Sequence, residues 1–297
     1  MSELKNSQES RSFHGAAARR SDLLDCLTKD RTLMEQDVSH CSVISVDEGE
    51  WADAADFSWD AFGIAVALKP ERRLVIVGED GQYYTYLDPE IPEGQIEPKP
   101  RLIRRARTID GFVYVCGVGR QVYKRLDVYE WSNESAPAPK KISDPICFED
   151  IAGYSENEIY CCGWKGELWH YDGSDWHDYS ELTNITLTSL ACVSDGYVYV
   201  VGQQGVLLKG RRDTWEVIQL DNDFETDMWD VHEFEEKIYI STMTGLYILN
   251  GQQLEEVEFD DMLNGTFYRL TSAEGTLWSV GDSDVLSFDG TEWTRYT

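Results

Sequence analysis

The sequence predicts an all-β chain built on one repeated unit, and three observations carry that prediction. First, residues 158–176, EIYCCGWKGELWHYDGSDW, read as strand, tight turn, strand, tight turn, strand. An apolar run ends at Gly163, Trp164 and Lys165 make a turn, Gly166 opens a second run, and Asp172 and Gly173 turn before Trp176. Second, the strand-ending residue recurs as Gly78, Gly117, Gly163, Gly202, Thr242 and Gly281, at spacings of 39, 46, 39, 40 and 39. Third, Trp131, Trp176, Trp215, Leu254 and Trp293 keep a period of their own, at 45, 39, 39 and 39. Both series place their extra residues in one interval. SNESAPAPKK (132–141) fills it and reads as a solvated loop insertion. Apolar residues alternate or run in fives, which argues against a helical solenoid. A period of roughly 40 residues with several short strands is the pattern of β-propeller blades.

The elements then follow in order. Residues 1–40 are expected to form an N-terminal extension, polar to about residue 15 and helical from Ala16 to about Val38. Ser21 would be its N-cap, with Leu23, Leu27 and Met34 along one stripe. The propeller is expected over 41–297 as six four-stranded blades, with a seventh if Cys41 to Trp51 contributes a strand. Val43 to Val46 would pair with the last blade and help close the ring. Phe62 to Leu68 would begin the first inner strand. FEDIAGYS (148–155), LTSLACVS (187–194), MWDVHEFE (228–235) and FYRLTSAE (267–274) fall between the repeats and should lie innermost, facing the channel. The proline-bearing stretch 88–100 reads as a loop or irregular edge. RLIRRAR, with Arg101, Arg104, Arg105 and Arg107, reads as an outer strand whose arginines pair with local carboxylates. The alternative is a contact for an anion or an acidic partner.

Lys plus Arg number 26 against 55 Asp plus Glu, a net charge of −29. Such a chain repels nucleic acid and anionic membrane and attracts basic proteins or cations. The seven cysteines (26, 41, 116, 147, 161, 162 and 192) are odd in number and lack a C-x-x-C pair. Buried free thiols in a reducing cytoplasm account for them, with Cys161 and Cys162 on opposite sheet faces. The N-terminus MSELKNSQESR lacks the apolar core of a secretory signal. No run approaches the ~20 apolar residues of a membrane helix.

Recognition is expected on one propeller face, at the channel mouth. The turns there supply Trp164, Lys165, Gln203, Gln204, Met243 and Asp282. The connections into the next inner strand supply Asp221, Asp223, Asp227 and Trp229, and then Asp260 and Asp261. Trp164 could anchor a protein partner, and the acidic groups would steer a basic one. Asp221, Asp223 and Asp227 could offer oxygens to calcium, but the stretch lacks the glycine and terminal glutamate of a calcium loop, so no metal is assigned. No cofactor or catalytic residue is assigned either: the five histidines and the acidic groups match no hydrolase, zinc-protease or phosphate-loop motif. The competing reading is a carbohydrate-binding or hydrolytic enzyme using aromatics and paired carboxylates such as Asp260 and Asp261 at the channel mouth.

The pattern Y-x-x-G-x-x-G-x-L followed by D-G-x-x-W resembles bacterial β-propeller repeats of the WD40-like and photosystem-assembly-factor-like type over about 62–297. The Trp-Asp and Gly-His pairs of true WD40 repeats are absent at the blade ends. The S-x-D-x-G-x-T-W box of sialidase-like propellers is absent too, although DGTEW (289–293) is loosely similar. No family's site residues therefore transfer. An acidic, compact protein of this kind also looks like immunity proteins that neutralise bacterial toxins. That resemblance implies a non-enzymatic cytoplasmic protein that holds a basic partner.

Overall fold

The computed structural model describes residues 10–86, 93–139, 146–221, 224–259 and 265–296. They form seven four-stranded antiparallel sheets. In sequence order the blades span 11–57, 61–95, 103–133, 148–178, 187–218, 230–256 and 269–296. Within each blade the strands pair in the order of the chain. The first strand of each is innermost: Arg11–Arg20, Ala61–Ala67, Ile103–Ile109, Phe148–Ser155, Leu187–Cys192, Asp230–Phe234 and Arg269–Ala273. Each inner strand touches the next, and the last touches the first, which closes the ring.

The glycine-ended second strands are buried on both faces, which is why they read as continuous apolar runs. Glu158–Gly163 and Val198–Gly202 are buried throughout. Seven separate apolar clusters form, one at each joint between blades. Cys161 packs into the joint between blades 3 and 4, and Cys162 into that between blades 4 and 5, as strand alternation requires. Six of the seven free thiols are buried. Trp131, Trp176, Trp215 and Trp293 stand on the outermost strands and pack against these clusters.

The blade count is seven rather than six, and the expected N-terminal helix is absent. Arg11–Arg20 and Leu23–Asp30 are paired strands joined at Ser21 and Asp22. The alanine-rich sequence has good helix propensity, but tertiary packing overrides it. Leu23 to Thr28 are buried at six successive positions, which no single helical stripe allows. The helix that does form, α1, is one turn, Arg31–Glu35. Asp30 caps it by accepting from the Thr32 and Leu33 amides at 2.8 and 3.1 Å. Met34, placed on the predicted stripe, is 46% exposed.

Two further corrections concern strand placement. Val43 to Val46 lie in the third strand of blade 1, Cys41–Asp47, and pair with that blade's own second and fourth strands. The ring therefore closes without strand exchange, by side-chain packing and by hydrogen bonds between blades 7 and 1. Trp278, Val280 and Val285 of blade 7 meet Phe13, Leu24, Cys26, Ile44 and Val46 of blade 1. RLIRRAR is also not an outer strand: Ile103–Ile109 is the inner strand of blade 3.

Candidate partner-binding rim and axial channel

The turns after the second strands gather on one rim of the ring, because each is tied to the connection entering its own blade. The backbone N–H of Glu79 donates to Asp60 O (2.9 Å), Val118 to Leu102 O (3.3 Å), Trp164 to Cys147 O (3.0 Å) and Gln203 to Thr186 O (2.9 Å). Two of these turns are single 3₁₀ turns, Trp164–Gly166 and Gln203–Gly205. Their middle residues, Lys165 and Gln204, take positive φ (59° and 54°) and are exposed. The closing glycines are required twice over. Gly166 and Gly205 have φ of 76° and 71°, and a Cβ on either would meet the carbonyl of Thr183 or Phe224 at 1.9 or 1.8 Å.

The rim carries most of the residues singled out from the sequence. Trp164 is half-buried and its indole N–H donates to Glu149, which also pairs with Arg104 at 3.1 Å. Gln204 N donates to Asp227 Oδ1 at 2.9 Å, so two predicted residues from different loops meet directly. Trp229 is half-buried against Tyr268, with ring centroids 5.2 Å apart. Met243 is 50% exposed and Asp221 is exposed. Asp282 is committed to ring closure: it accepts from Ser12 Oγ (2.5 Å) and Arg31 (2.6 Å), and its carbonyl accepts from Phe13 N (2.9 Å). Asp223, Asp260 and Asp261 lie outside the described residues.

Part of the rim's negative charge is already paired. Lys29 pairs with Asp60, and Lys99 with Asp80 at 2.9 Å. Where the balance fails, crowding shows: burial, with Asp60 and Asp80 nearby, pushes the Glu79 carboxyl up.

The axial channel carries a site that the sequence reading missed. At one level of the inner strands each blade contributes the residue opposite the one preceding its strand-ending glycine or threonine. The pairs are Gly63–Val77, Arg105–Cys116, Asp150–Cys162, Ser189–Val201, Asp230–Ser241 and Arg269–Val280. In blade 1, Gly15, opposite Leu27, follows the same bulge that precedes Gly63, Asp150 and Ser189. Around the ring the order is therefore Gly15, Gly63, Arg105, Asp150, Ser189, Asp230, Arg269.

The polar side of that ring is one buried network. Arg105 reaches Asp150 (3.2 Å) and Asp230 (2.7 Å), and so does Arg107 (2.9 and 3.0 Å). Ser189 Oγ lies 2.7 Å from Asp150 and 2.6 Å from Asp230, and its single proton serves one of them at a time. The carboxylates also accept from the amides of the next inner strands, Leu190 N (3.3 Å) and Leu270 N (3.1 Å). Burial alone would raise both carboxyls. The Arg105 and Arg107 guanidiniums outweigh it and hold both below the usual carboxylate range. Neither can then be the protonated acid that glycoside hydrolysis needs at neutral pH. Two histidines flank the network. Burial pushes His14 and His232 down to about 4, so both are neutral at pH 7. His14 Nε2 lies 3.0 Å from Ala61 O, and His232 Nε2 lies 2.8 Å from Ser272 Oγ.

A relative matches nearly the whole chain. The immune protein Tsi7 of Pseudomonas aeruginosa is 36% identical over 275 residues, covering 89% of this chain and 90% of its own. The chain belongs to the Tsi7 family. No family model matches it. Among solved structures, YCF48 bound to D1 peptide superposes with a TM-score of 0.69 at 12% identity, covering 97% of this chain and 92% of that one. The propeller domain of Myceliophteria thermophila Cps50 (Swd1) gives 0.67 at 12%, covering 95% and 100%. At such identities these two likenesses speak for the fold, and the kinship with Tsi7 is what bears on function.

Proposed function

We propose that this Tsi7-family chain is an immunity protein that binds a protein toxin on its rim and blocks it without catalysis. One observation carries the reading: end-to-end kinship, at 36% identity, with a protein named for immunity. The net charge of −29 supports a basic toxin, because a negative surface speeds encounter with a positive one. The rim supports a protein partner. It presents half-buried Trp164 and Trp229, exposed Met243, the amides of Gln203 and Gln204, and the acids Asp221 and Asp227. Such a mixture of aromatic anchors with a polar surround suits a protein interface. The cytoplasmic setting belongs to the proposal and is supported by seven free thiols. No helix among the described residues is long and apolar enough to cross a membrane.

The test pairs a growth assay with kinetics. The chain is co-expressed in turn with the products of the genes neighbouring its own, and growth is scored. Association of the purified pair is then timed at low and high salt. Protection and an association rate that falls with salt are expected. Absence of protection would remove the immunity reading, and a salt-insensitive rate would remove the basic partner. Replacing Asp221, Asp223 and Asp227 together with asparagine is expected to slow association with folding intact. An unchanged rate takes that loop out of the interface.

A further inference from the structure

The ring of inner-strand residues is unequal around its circumference. Asp150, Ser189 and Asp230 occupy one arc, and Gly15 and Gly63 supply no side chain on the opposite arc. The two residues bordering the glycine arc are both arginines, Arg269 on one side and Arg105 on the other. A cavity of about 230 Å³ lies there, lined by the inner strands of blades 1, 2, 3, 6 and 7. The glycines are held small by packing: a Cβ on Gly63 would meet that of Ala106 at 2.8 Å, and one on Gly15 the Leu27 side chain at 3.0 Å.

Counting charge in this channel decides what the cavity lacks. Arg105 and Arg107 are matched by Asp150 and Asp230. Arg269 also lines the cavity, and makes no hydrogen bond or ion pair among the described residues. His14 and His232 add no charge at pH 7. One positive charge is therefore left over in this channel, within a molecule whose net charge is −29. Burial and the neighbouring Arg105 push the Arg269 guanidinium down to about 10, which leaves it charged at pH 7 yet poorly accommodated. Arg269 is half-buried in the channel wall, and without a paired counterion its five donors ask for an acceptor.

We propose that the axial cavity binds one small carboxylate, seated between Arg269 and Arg105 beside the glycine arc. A single negative charge completes the balance, and a dianion would overshoot it. A guanidinium fork matches a carboxylate with two parallel hydrogen bonds. The volume suits a small organic acid and excludes a folded partner. The approach is from the side away from the rim. The exposed lining residue Thr108 lies at the end of its inner strand, four residues beyond Arg104, whose partner Glu149 also holds the rim residue Trp164. The ligand is thus a free acid, and its binding is independent of toxin capture.

The full chain is titrated calorimetrically with sodium acetate, with sodium chloride at matched ionic strength and with inorganic phosphate. Saturable acetate binding is expected, with chloride giving none and phosphate binding more weakly. Arg269→Gln is expected to weaken acetate about tenfold or more, through loss of a charge-assisted pair, with circular dichroism unchanged. If that variant does not fold, Arg269→Lys keeps the charge, loses the fork and is still expected to weaken acetate. Acetate no better than chloride overturns the site. So does acetate binding that survives at wild-type strength in whichever variant folds. Phosphate binding more tightly than acetate overturns the assignment to a carboxylate.

Discussion

The channel and the rim lie on the same seven blades and treat charge in opposite ways. In the channel, Asp150 and Asp230 are fully buried, and each is held by Arg105 and Arg107. On the rim, Asp221 stands in water and Asp227 accepts one backbone N–H among the described residues. A carboxylate in the channel is thus part of the framework, whereas one on the rim is free to meet something else. Acidic residues abound in this sequence, and their worth is set by where the backbone puts them.

The largest effect should come from the channel. Asp230→Asn leaves the Arg105 and Arg107 guanidiniums one counter-charge short and is expected to cost about 3–5 kcal/mol in chemical denaturation. If it costs less than 1 kcal/mol, the network is not structural and the contrast with the rim fails.

Acid comes next. His14 and His232 are held near 4, against 6.5 when free. Below about pH 6.5 the unfolded chain takes up protons that the folded one refuses. The stability these groups confer is complete above 6.5 and is lost as pH falls towards 4. The loss should be about 2–3 kcal/mol for each histidine. His232→Gln should flatten the profile of stability against pH in that window, and an unchanged slope would place the acid sensitivity elsewhere.

Smaller effects belong to the rim. Asp282→Asn removes a half-buried charge from Arg31 at the closure and should cost about 1 kcal/mol. Asp221→Asn should change stability by less than about 0.5 kcal/mol. A larger value for Asp221→Asn would mean that the loop is framework as well.

Blades 2 to 7 were legible in the sequence because the strand-ending residue, glycine in five of them and Thr242 in the sixth, and the outer Trp131, Trp176, Trp215, Leu254 and Trp293 repeat at near-fixed offsets. Blade 1 was not. Its second strand, Leu23–Asp30, ends without glycine, and its alanine-rich inner strand carries helix propensity that only packing overrides. The rim was legible for the same reason as the repeat, since its turns sit directly after the strand-ending residues. The channel network was not, although a signal existed. Arg105, Asp150, Ser189, Asp230 and Arg269 each lie 12 or 13 residues before the strand-ending position of their blade. Read singly, RLIRRAR reads as an outer strand. Aligned on Gly117, it falls on the same innermost register as the aspartates. What sequence could not supply was the pairing across blades, because Arg105 and Asp230 are 125 residues apart and meet only through ring closure.

Blades 1 and 7 are each complete within one end of the chain, so six joints are crossed by a covalent connection and the seventh is not. Parting any of the six leaves its two wedges tethered at close range, whereas parting the seventh sets them free to separate, with the larger gain in chain entropy. The Trp278 seam is thus where the circle would first spring open, and where a staple across it would lengthen the life of the whole.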